Sequence, residues 1–104
     1  MNDTRTWALV ENLSNLDQME TTRREIASKS SLMATRYRLI STIFFSHAEE
    51  TVDPVRKCLD LVEAKNFMRL AEMEEAFAAR GHQDLAQIAL LKRETLAMLE
   101  RPES

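Results

Sequence analysis

Apolar residues from Trp7 to Phe45 recur at mostly three- and four-residue spacing, the signature of an amphipathic helix. Trp7, Leu9, Val10, Leu13, Leu16 and Met19 open the pattern. From Ile26 the seam reads Ile26, Ser30, Met33, Tyr37, Ile40, Phe44, His47 and Thr51, alternating steps of four and three like a heptad repeat. Leu32, Leu39, Ile43 and Phe45 widen this stripe, so the stretch from Ile26 to Thr51 asks for burial on more than one side. No Gly or Pro interrupts Asp3 to Thr51, which predicts a long helix over 3–51. Two soft points, near 12–15 and 28–31, would allow it to divide, because Asn and Ser side chains compete for backbone groups.

Val52-Asp53-Pro54 predicts a firm boundary, with Asp53 as N-cap and Pro54 at the first helical position. A second helix is expected over 54–80, with Val55, Leu59, Val62, Met73 and Phe77 on one face and Phe67, Leu70 and Ala71 around from it. Gly81, the single glycine, reads as a C-terminal cap in the left-handed conformation. A third helix then covers 83–101, with Leu85, Ile88, Ala89, Leu96 and Leu99 inward. The expected fold is one all-α domain: a long N-terminal helix packed with a C-terminal antiparallel αα-hairpin.

Composition strengthens the helical reading. One glycine and two prolines in 104 residues leave little turn chemistry for a β protein. A chain this short benefits from an oligomer, since small domains bury a limited share of their surface. The net charge of −3 makes nucleic acid the lesser alternative as a partner. No apolar run approaches the ~20 residues of a membrane span. The lone Cys58 suits a reducing, cytoplasmic setting and reads as a small packing residue.

Candidate chemistry is sparse. His47 and Glu50 stand one turn apart, but Phe44 occupies the position where a Glu-x-x-His metal motif needs its glutamate. No metal, cofactor or catalytic residue is assigned, and the chain is not read as an enzyme. One long helix with two shorter ones is similar in layout to the helical chorismate mutases, in fold only. Val10-Glu11-Asn12-Leu13 places a glutamate where that family has an arginine, and it would repel a dianionic substrate.

The expectation is therefore a helical module that binds a protein partner or a second copy through an apolar surface. Trp7, Val10, Met33, Tyr37, Ile40 and Phe44 are its candidate contact residues. The alternative is a polyanion or acidic partner held by Arg23, Arg24, Lys29, Arg36 and Arg38. Glu20 before Arg24 and Glu25 before Lys29 are four-residue pairs that would occupy two of these charges. Glu72, Glu74 and Glu75 could also pair with the basic part of the first helix.

Overall fold

The computed structural model describes residues 3–101 and contains two helices, α1 (Asp3–Glu50) and α2 (Pro54–Glu100). The all-α architecture and the antiparallel packing of helices hold. The reversal, however, lies at residues 51–53 and not at Gly81, so the expected second and third helices are one element. Neither soft point breaks α1.

The turn is built as its residues dictate. Thr51 closes α1 by donating both its amide and its hydroxyl to the His47 carbonyl, at 3.0 and 2.8 Å. Asp53 then caps α2: its carboxylate accepts from the Val55 amide at 3.1 Å and its carbonyl from the Lys57 amide at 2.9 Å. Pro54 has no amide to leave unsatisfied there.

Gly81 behaves differently from the expectation for a physical reason. No described residue has a positive φ, so the left-handed cap is not formed. Gly81 is instead buried on the inner side of α2. A glycine inside a helix costs about 1 kcal/mol relative to alanine, but the missing Cβ permits a close approach.

The chain divides into two compact units, 1–26 with 80–104, and 27–79. In the first, Leu16 and Ile88 are buried, and Leu9, Leu13, Leu85 and Leu99 are half-buried. Ala89 and Leu96, expected inward, are exposed. Polar groups share this seam: the Asn12 amide donates to the Thr95 hydroxyl at 3.1 Å, and that hydroxyl donates to the Leu91 carbonyl at 2.8 Å. Lys92 reaches Asp17 at 2.5 Å and Glu20 at 3.7 Å.

The second unit holds the turn. Its inner positions on α1 are Ala27, Ser30, Ala34, Tyr37, Ser41, Phe44 and Ala48, all buried or half-buried. Those on α2 are Asp60, Ala64, Phe67, Ala71, Glu74 and Ala78. Both series alternate steps of three and four, and every seventh position is Ala or Ser. Small side chains let backbones come close, so the Ser41 hydroxyl, fully buried, donates to the Ala64 carbonyl at 2.7 Å. Phe67 fills the wider layers, its ring 5.8 Å from Phe44 and 6.0 Å from Tyr37.

This inner seam corrects the sequence reading. Ser30, Tyr37 and Phe44 belong to it, but Ala27, Ala34, Ser41 and Ala48 take the places expected for Ile26, Met33, Ile40 and His47. In α2, Val55, Leu59, Val62, Met73 and Phe77 are exposed, not inward. Cys58 is exposed as well and is not a packing residue.

Candidate interaction surface

Small residues inside leave the large apolar side chains outside. In the turn-bearing unit these include Leu32, Leu39 and Ile43 on α1 and Leu59, Leu70 and Met73 on α2. Leu39 and Met73 are each 62% exposed, more than half the area a core residue would bury.

Leu32 and Leu39 lie on the back of α1, opposite the seam, and the other four lie on one flank. Arg38 follows the seam residue Tyr37, and its Nε donates to Glu75 Oε1 at 3.1 Å while Nη1 lies 3.1 Å from Met68 Sδ. Glu75 and Met68 each follow a seam residue of α2, so positions after the seam share one flank. That flank is polar, with Thr35, Thr42, Lys65 and Glu72 along it. Positions before the seam, Met33, Ile40 and Leu70, therefore share the opposite flank, which Ile43 and Met73 extend outward. No exposed large apolar residue of this unit's helices lies on the polar flank among the described residues.

Near the turn, the buried Asp60 carboxylate is held from two sides. His47 Nδ1 lies 2.8 Å from Oδ2, and Arg56 Nε is 3.8 Å from Oδ1. This accounts for His47, the histidine singled out as a possible ligand, as a partner for a buried carboxylate. Glu50 is exposed. Among the described residues, no three His, Cys, Asp or Glu side chains converge on a common point.

The other unit offers a smaller apolar depression, where Met19, Ile88 and Leu91 meet beside the Arg23–Asp84 ion pair at 3.8 Å. Lys92 has its pKa raised, chiefly by the hydrogen bond to Asp17, against an opposing effect of desolvation. Asp17 and Glu20 add coulombic support.

The six contact candidates from the sequence separate into three groups. Trp7 and Val10 are exposed, 65% and 53%. Met33 and Ile40 are half-buried and border the apolar flank. Tyr37 and Phe44 are engaged within the unit against Phe67. The basic residues also divide. Arg23 pairs with Asp84, Arg24 with Glu20 at 3.7 Å, and Arg38 with Glu75, whereas Lys29 and Arg36 are exposed.

Leu39, Leu70 and Met73 are the surface residues that pattern reading did not pick out as contacts. The available signal was the alanine and serine at every seventh position, which marks the inner seam and so moves the bulky residues outward. No helix among the described residues is long and apolar enough to cross a membrane. The chain matches no known family, no curated protein and no solved structure.

Proposed function

We propose that the chain is a helical protein–protein interaction module, working in the cytoplasm as an adaptor, anti-activator or export chaperone does. One observation carries this reading. The intrachain seam of the turn-bearing unit has Ala or Ser at every seventh position of α1 and Ala at every seventh of α2, while Ile43, Leu70 and Met73 remain between 39% and 62% exposed on one flank and Leu32 and Leu39 are exposed on the back of α1. Clustered exposed apolar side chains mark association sites in proteins. Covering the exposed part of those five side chains would contribute on the order of 5 kcal/mol. An amphipathic partner helix laid into a groove covers surface of this kind.

The test separates surface from core. Leu39→Lys combined with Met73→Lys should keep the helical circular dichroism of the parent chain and abolish its binding of an apolar dye or of a partner. Loss of helicity in this variant would mean that the two residues serve the fold, and the reading would fail.

A further inference from the structure

We infer that the apolar flank of the turn-bearing unit takes one amphipathic helix of a partner protein, with carboxylates beside one end of its apolar stripe; the inference rests on the association reading above. The groove comes first. Met33 and Ile40 of α1 and Leu70 and Phe77 of α2 each precede a seam residue, so the four line the same side of the helix pair. Ile43 and Met73, 57% and 62% exposed, stand outside them. Two parallel rows of apolar side chains accept a single helix whose anchors recur at three- and four-residue steps.

Charge selects the helix. Lys29 and Arg36 stand on the α1 edge of this flank, in line with Ile43 and ~10.5 Å apart along the helix. Both are exposed, and neither makes an ion pair among the described residues. Glu74, the carboxylate on α2 at this end, is half-buried in the seam. The exposed carboxylates of the flank stand toward the turn instead: Glu50 in line with Lys29 and Arg36, and Glu63 in line with Leu70. The flank is therefore cationic at one end and anionic at the other, over ~32 Å. The polar flank has no such separation, since Arg38 and Glu75 pair within it. Charge matching sets register and partner choice, while the apolar rows supply the affinity.

Two synthetic peptides of about 18 residues, long enough to span most of the flank as helices, test the inference by fluorescence anisotropy on the full chain. They share one leucine stripe; one carries two glutamates seven residues apart beside it, the other lysines at those places. The expected result is that the glutamate peptide binds at least about tenfold more tightly. Lys29→Glu/Arg36→Glu should reverse the preference and Lys65→Glu, on the polar flank, should leave it unchanged, with helicity retained in both. Equal binding of the two peptides overturns the selection by charge, and a preference that survives Lys29→Glu/Arg36→Glu overturns the placement on this flank. A chain that binds apolar dye but neither peptide overturns the helix as occupant and leaves the interaction reading standing. So does a dimer in sedimentation that excludes the peptides, which gives the flank to a second copy. A chain that binds neither dye nor peptide overturns both.

Discussion

Ser41 shows what single residues decide in this chain. It is fully buried, and its hydroxyl satisfies itself on the Ala64 carbonyl across the seam. A larger residue has no room there and a non-polar one leaves the hydroxyl's partner without its bond. Ser41→Val should therefore destabilise the fold by roughly 1–3 kcal/mol, combining overpacking with a lost hydrogen bond. Urea unfolding of the variant checks this, and an unchanged midpoint would contradict the close approach at this layer. The same logic explains why pattern reading placed the seam partly on the wrong residues. Ile26, Met33 and Ile40 each precede a small seam residue, and hydrophobicity favours the bulky neighbour. Packing distance favours the small one, and distance prevailed.

At the scale of the element, Gly81 separates two physical accounts. As a cap it would tolerate no replacement, because alanine resists the left-handed conformation. As a helical residue on the inner side of α2, it has two opposed effects to weigh. Gly81→Ala gains about 1 kcal/mol in helix propensity and introduces a methyl group into a buried position, at a cost of typically 1–3 kcal/mol. The expected outcome is an intact α2 with a net loss of stability, measured by thermal unfolding. A gain of stability would show that the position has spare room.

Lys92 supplies a pH dependence to the other unit. Its raised pKa means that its contribution is fully present below the ordinary lysine value of about 10.4 and disappears as pH rises through the higher folded value. The difference in urea midpoint between the parent chain and Lys92→Gln should hold steady from neutral pH to about 10 and shrink above it. The helical class, the Asp53-Pro54 boundary and the caps around it were legible in the sequence because they depend on local chemistry. The continuity of α2 through Gly81 was not, because it depends on what the glycine faces.

For the molecule as a whole, the account turns on an inversion of bulk. Alanine and serine at every seventh position bring the helices of the turn-bearing unit together around Tyr37, Phe44 and Phe67, and leucine, isoleucine and methionine face outward. The width of the apolar stripe after Ile26 was readable in the sequence, and its outer residues Leu32, Leu39 and Ile43 are exposed. Which side the chain itself supplies was not, since that required the register between α1 and α2. The most direct test compares two substitutions two residues apart in α2, Ala71→Met and Met73→Ala, by urea unfolding of the dilute chain. Ala71 is fully buried and Met73 is 62% exposed. The account predicts that Ala71→Met destabilises the fold by about 1–3 kcal/mol, while Met73→Ala changes it by less than about 1 kcal/mol. A loss of about 2–5 kcal/mol on Met73→Ala, the cost of emptying a core site, together with a tolerated Ala71→Met, would contradict it.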